Sequence, residues 1–173
     1  MKYFAALLLS EGADPAEAID PRLESVFGPA DYIGPPRPFD MTDYYAPEMG
    51  GGLVRVIVSF RDLGDPAGLA AAKSSCARVE RDLSAAGSRR INIDPGYIDY
   101  FKAVLASFKE GPQKIYLGEG AWADTVLMYE NGRWRDLPWS FPDFRAGRYD
   151  EEFAAIRDIY RAQRRALSLG GTP

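Results

Sequence analysis

The chain has 173 residues, of which 46% are hydrophobic and 27% charged, a size and balance that suit one ordinary globular domain. Its net charge of −4 argues against nucleic acid as the main ligand, because phosphate neutralisation supplies most of that affinity. The absence of histidine excludes Ser-His-Asp and Cys-His catalytic units and HExxH zinc chemistry, and the single cysteine, Cys76, excludes an intrachain disulfide or a CxxC motif.

In chain order, residues 3–10 are apolar on both faces and predict a strand covered on both sides. The apolar run of MKYFAALLLSEG lies at the lower limit for a signal peptide and meets Glu11 and Asp14 without a small-x-small cleavage site, so it reads as a buried first strand. Asp14-Pro15 with Glu17 predicts a helix start with a capping box, and Ile19, Leu23, Val26 and Phe27 supply its apolar stripe. Asp20-Pro21 should kink or restart that helix, and Gly28-Pro29 should end it. Residues 30–34 form a short strand candidate; the run PPRPF that follows must be extended and cannot be a central strand.

Residues 40–52 read as a loop, and 53–60, LVRVIVSF, as a strand. Asp65-Pro66 starts a second helix, whose stripe is Leu69, Ala72, Cys76, Val79 and Leu83 and which Gly87 should close. Residues 89–94 predict a fourth strand, ending at Pro95-Gly96, where proline sets φ and glycine suits the positive φ of a type II turn. Residues 103–108 fit a strand or a helix equally. Residues 113–117 and 122–129 predict strands, and Asn131-Gly132 a type I′ hairpin to residues 133–136. A last helix should begin near Asp150, with Phe153, Ile156, Tyr160 and Leu167 on its apolar side and Arg161, Arg164 and Arg165 near its negative end.

The order β-α-β-β-α-β over residues 3–94 is that of a ferredoxin-like core, which places the chain in the α+β class. The expected architecture is a single domain spanning 1–173. Additional strands at 103–136 form a C-terminal antiparallel β-hairpin, a terminal helix covers 150–168, and residues 170–173 make a disordered tail.

Three stretches offer candidate chemistry. The loop 40–52 holds Asp40, Asp43, Tyr44, Tyr45 and Glu48 beside three glycines. Glycines admit close backbone approach, and clustered carboxylates can hold Mg²⁺ against phosphate oxygens; the plainer alternative is a solvated connection whose tyrosines pack on the core. Its GGG leads into a strand, whereas phosphate loops lead into a helix, so a P-loop is rejected. Next are the polar strand faces: Arg55 with Ser59, Arg90 with Asn92 and Asp94, Lys114 with Tyr116. If these coincide, one sheet side gathers mixed charge; otherwise the face is simply solvated, as antiparallel sheets often are. Arg55 stands alone in an apolar run and calls for a carboxylate or phosphate partner. Third, GEGAWAD at 118–124 offers Glu119 and Asp124 as acids or metal ligands with Asp94, although its glycines better suit a bulge or tight bend. Cys76 reads as a buried structural thiol. Trp134, Trp139, Phe141 and Phe144 either seal a core edge or dock a partner.

Taken in order, FGPADY, TDYYAPEMG, VSF, INIDPGYID with KAVLASFK, KIYLGEGAWADTVLMY and WSFPDFR resemble a bacterial family known as domain of unknown function 4416, over about residues 3–161. The resemblance implies a small, single-domain, cytoplasmic protein and no defined activity or catalytic residues. A GTP-binding role attached to some members is not carried over, because GxxxxGK[ST] is absent here.

Two functions are expected from these residues. One is a site for a phosphorylated or carboxylated small molecule, a nucleotide among them. There Arg55, Arg90 and Lys114 hold the anion beside Asn92 and Tyr116, Tyr44 and Tyr45 cover it, and Glu48 or Asp94 serves as acid–base group or Mg²⁺ ligand. An enzyme of this kind would do His-independent, Mg-assisted phosphoester or nucleotide chemistry. The other is a non-catalytic ferredoxin-like module that homodimerises or docks a partner. Neither a nucleic acid nor a membrane is an expected partner, since nothing approaches the roughly 20 apolar residues of a membrane span and no aromatic pair has RRM-like spacing.

Overall fold

The computed structural model describes residues 1–170; the expected tail beyond Gly170 lies outside them. The class is α+β, built on one nine-stranded antiparallel sheet. The strands are β1 (Lys2–Leu9), β2 (Ala30–Ile33), β3 (Arg37–Pro38), β4 (Val54–Leu63), β5 (Ile91–Ile98), β6 (Lys102–Ser107), β7 (Ile115–Gly118), β8 (Ala121–Glu130) and β9 (Arg133–Asp136). Their order is β2-β4-β1-β5-β6-β8-β7, with β3 also on β4 and β9 also on β8. β1, the most apolar strand, lies between β4 and β5 and is buried along its whole length.

Alternation along the strands separates two cores. Tyr3, Ala5, Leu7 and Leu9 of β1 and Val56, Val58 and Phe60 of β4 face one side. There they meet α1 (Pro15–Ala18), a π-helical stretch Ile19–Leu23, α2 (Glu24–Phe27) and the long α4 (Leu69–Asp82). The Asp14 capping box with Glu17 forms as the sequence predicts, and the π-helical turn spans the Asp20-Pro21 interruption, where a proline cannot donate the α-helical bond. Phe4, Ala6 and Ile57 face the other side, under α5 (Pro142–Arg145) and α6 (Asp150–Gly170). The second sheet face is therefore covered rather than solvated. A small third cluster, Leu8, Phe39, Met49 and Leu53, lies under α3 (Ala46–Met49), a single helical turn inside the 40–52 loop.

Residues 103–108 resolve as strand: β6 pairs with both β5 and β8. The Asn131-Gly132 turn has φ of 51° and 81°, as a type I′ hairpin requires. Two turn assignments are corrected. Helix α4 ends at Asp82, and Gly87 instead serves the tight turn between Ala85 and Ser88. Pro95-Gly96 is no turn at all; β5 runs straight through it, opposite Ala5 and Phe4 of β1.

That continuation explains the main irregularity of the sheet. The Asp99 amide donates to the Lys102 carbonyl, so odd-numbered residues of β5 aim their backbone groups at β6. Pro95 has no N–H to offer there, and the β5–β6 ladder covers only Gly96–Ile98. Beyond it Ile91–Pro95 pair with β1 alone. The bare edge is satisfied from helix α4: Glu80 accepts the Ile93 N–H at 2.7 Å, and the Lys73 ammonium donates to the Ile93 carbonyl at 2.7 Å. Two side chains thus replace the missing strand.

Candidate functional site

Two adjoining cavities open where β5 and β6 part. The larger, about 250 Å³, has Ala6 and Leu105 of the sheet on its floor, Phe39, Tyr44 and Tyr45 on one wall and Phe141 and Pro142 on the other. The smaller, about 160 Å³, enters the gap itself between Asn92 and Ser107. Tyr45, Asp94, Lys109 and Phe141 line both.

Asp94 sits at their junction. Lys73 donates to one of its carboxylate oxygens at 2.9 Å and Asn92 to the other at 3.0 Å. Burial alone would raise this carboxyl, but the Lys73 ammonium, with Arg55 and Asn92, outweighs it and holds the pKa below the ordinary value. Burial likewise opposes the charge on Lys73, and Asp94 and Glu80 overcome it to push that pKa upward. Asp94 and Lys73 are therefore a stable ion pair at neutral pH, and neither is tuned for proton transfer there. Burial pushes Glu80 up. Tyr45 is pushed up to about 12, chiefly by burial and then by Asp94, so it stays a neutral phenol.

Arg55 finds the partner that its isolation in an apolar strand calls for. Asp143, on α5, forms a buried ion pair with it, and the Tyr149 hydroxyl donates to the same Asp143 oxygen at 2.9 Å. The guanidinium lies 4.5 Å from the centre of the Phe39 ring, and its buried Nε has no hydrogen-bond partner among the described residues. At the mouth, the Lys109 ammonium stands 3.5 Å over the Tyr44 ring and makes no ion pair among the described residues. Lys114 reaches the Ser107 hydroxyl and the Lys109 carbonyl, each at 2.9 Å, while its distance to Asp124 is 4.0 Å. Burial lowers the Lys114 pKa, with Asp124 and Asp94 pulling the other way.

The sequence candidates divide cleanly. Tyr44, Tyr45, Arg55 and Asp94 meet in the larger cavity, and Tyr45, Asn92, Asp94 and Lys114 in the smaller. Glu48 lies at the rim, where Arg89 grips both its oxygens at 2.7 Å. That guanidinium bonds Asn92 at 2.6 Å, so Glu48 reaches the site only through Arg89. Arg90 turns away to Glu17 of α1 at 3.0 Å. Tyr116 is exposed and packs on Trp122. Gly50, Gly51 and Gly52 line a separate hollow with Asp40 and Asp43, outside the loop. Among the described residues no three carboxylates gather to hold a metal ion; Glu119 instead accepts from Ser74, and Asp124 from Gln113.

Several site residues lie outside the sequence candidates. Lys73 and Glu80 sit seven residues apart on α4, on the same helical face as Leu69 and Cys76. Two opposite charges in line with an apolar stripe are the signal that could have exposed them. Asp143 and Lys109 carry no comparable sequence signal, whereas Phe141 comes from the aromatic segment that the sequence marks as sealing a core edge or docking a partner. Trp134 and Phe144 seal the core, while Trp139 and Phe141 remain partly exposed at 44% and 43%. Cys76 is wholly buried, which pushes its thiol pKa up.

The profile of the family described as Domain of unknown function (DUF4416) matches residues 1–160, and the chain belongs to that family. Neither a curated protein nor a solved structure matches the chain. No helix among the described residues is long and apolar enough to cross a membrane.

Proposed function

We propose that this protein binds a small molecule with a flat, apolar body and an anionic phosphate or carboxylate end, a nucleotide or related compound, in the paired cavities around Asp94. The reading rests on one observation: Arg55, Lys73, Arg89, Lys109 and Lys114 line these cavities against only Glu80, Asp94 and Asp143, in a chain whose net charge is −4. Lys109, which makes no ion pair among the described residues, is left with capacity for a ligand acceptor. Phe39, Tyr44, Tyr45 and Phe141 supply faces for the apolar body. Because Asp94 is held ionised and Lys73 protonated, the same arrangement favours holding a ligand over acid–base chemistry. A thermal-shift screen of nucleotides, sugar phosphates and aromatic carboxylates, with and without Mg²⁺, tests it. Stabilisation of several degrees at millimolar ligand is expected, and a flat response across the whole screen sinks the reading.

The framework of the site is, in this reading, a ferredoxin-like unit: β2, β4, β1 and β5 neighbour one another in that order, all antiparallel, with both helical crossings on one face. Its buried thiol suits a reducing cytoplasm.

A second reading, association of two copies through β7, is favoured by one feature. β7 is an end strand whose Ile115 and Tyr116 are 70% and 57% exposed. Light scattering decides it: a mass that stays monomeric across a hundredfold concentration range removes this reading.

A further inference from the structure

A groove at the other end of the sheet has a character the acidic composition hides. It is an open depression of about 490 Å³ lined by Tyr100, Phe101, Tyr129, Arg157, Arg161 and Arg165. The three arginines follow one another at four-residue steps along α6, so they stand on one side of the helix, roughly 6 Å apart. Tyr100 and Phe101 form the tip of the β5–β6 hairpin, where small turn-formers are the rule. This tip is instead held by Asp99, whose carboxylate accepts the Phe101 and Lys102 amides at 2.7 and 2.8 Å. Phe101 is 65% exposed, and its ring meets the Tyr100 ring edge-on at 6.3 Å, so a large apolar face is left to solvent.

The arginines play different parts. Arg157 lies 3.5 Å over the Tyr129 ring and donates to the Tyr100 carbonyl at 3.1 Å, forming a fixed cationic floor. Arg161 has only a 3.3 Å contact with the exposed Asp158, and Arg165 has no ion pair among the described residues. Exposed pairs of that kind are weak and exchange readily for a stronger anion.

We propose that this groove binds single-stranded nucleic acid, with Phe101 and Tyr100 stacking bases and Arg157, Arg161 and Arg165 meeting successive phosphates. Charge complementarity favours a polyanion, and the exposed ring faces favour unpaired bases over a duplex or an acidic peptide. The groove is separate from the Asp94 cavities and shares no lining residue with them.

The test is fluorescence anisotropy of a labelled ten-residue oligouridylate with the intact protein. Saturable binding is expected, with log K falling against log salt at a slope of about −2 for three arginines. Phe101→Ala should weaken it about tenfold, and Arg161→Glu with Arg165→Glu should abolish it. Both changes lie on the surface, and circular dichroism checks that the fold is kept. The proposal is overturned by absence of saturable binding, by equal affinity for a duplex, by displacement with polyglutamate as readily as with unlabelled strand, or by a Phe101→Ala protein that binds undiminished.

Discussion

Lys73 of α4 and Asp94 of β5 meet at 2.9 Å across an opening in the sheet, although the helix packs on the opposite face from the one Asp94 belongs to by alternation. The pair exists because Pro95 stops the ladder and leaves room for a lysine to pass between two strands. It also lines the candidate site where the two cavities join, so stability and binding are coupled at this point.

Lys73→Met should leave Asp94 and Glu80 without their main counter-charge and the Ile93 carbonyl without its donor. A loss of about 3 kcal/mol or more is expected, in the range for breaking one side of a buried ion pair. Urea unfolding measures it; a variant within about 0.5 kcal/mol of the parent would contradict the arrangement.

The pH response of this group has two opposing parts. The Asp94 pKa is lower folded than unfolded, so its stabilisation is complete above the unfolded value of about 3.8 and is lost as pH falls through the lower folded value. Glu80 is raised by burial, so ionising it costs stability, and that cost fades as pH falls through its raised value. Stability from this group should therefore rise on acidification to about pH 4.5, as Glu80 takes up its proton, and drop below the unfolded Asp94 value. Asp94→Asn should flatten that low-pH limb. Urea midpoints taken from pH 6 to pH 2.5 report it, and equally steep limbs in both proteins refute it.

Arg55 and Asp143 tie α5 to the sheet through a buried pair. Asp143→Ala alone should cost about 3–5 kcal/mol, whereas Arg55→Met with Asp143→Leu should recover much of that loss, since apolar replacements spare both desolvation costs. A double variant no better than the single one would show that the pair is worth more than its burial penalty.

Lys109→Glu tests binding without touching the core, because this exposed lysine places its ammonium over the Tyr44 and Tyr45 rings. Its melting temperature should match the parent within about a degree, while the thermal shift with any ligand found in the screen should fall at least tenfold in apparent affinity. An unchanged affinity would place the anion elsewhere.

Gly96→Ala should be strongly destabilising, for a reason unrelated to turns. A Cβ there would collide with the Val104 carbonyl oxygen and the Phe4 ring, at the last rungs of the β5–β6 ladder. A cost of about 1–3 kcal/mol or more is expected from such overpacking, read as a lowered unfolding midpoint.

Much of the framework was legible in the sequence because local chemistry and tertiary placement agree there. The apolar run of β1, the Asp14 capping box, the Asn131-Gly132 hairpin and the helix from Asp150 all appear where expected. Arg55 announced a buried partner, though nothing local could name Asp143, 88 residues away. Pro95-Gly96 misled because the dipeptide has a strong local turn preference. Here Pro95 serves by withholding a donor from β6 and Gly96 by letting β6 approach, and both reasons concern a strand not yet encountered in the chain. Lys73 was missed because a stripe read only for apolar residues passes over a charge inside it. Arg90 and Tyr116 were misplaced for the opposite reason: alternation gives a side of the strand, but Arg90 stands at the strand's start and Tyr116 on an end strand, where side chains are free to turn outward.

The central position of β1 has a consequence for synthesis. Its neighbours are β4, at Val54–Leu63, and β5, at Ile91–Ile98, so one edge waits for β4 and the other stays unpaired until β5 has left the ribosome. Over that interval an eight-residue, wholly core-bound segment is open to pairing with another copy of itself. A nascent chain arrested before Ile91 should therefore depend on chaperones and aggregate without them, whereas one released past Ile98 can close its centre unaided.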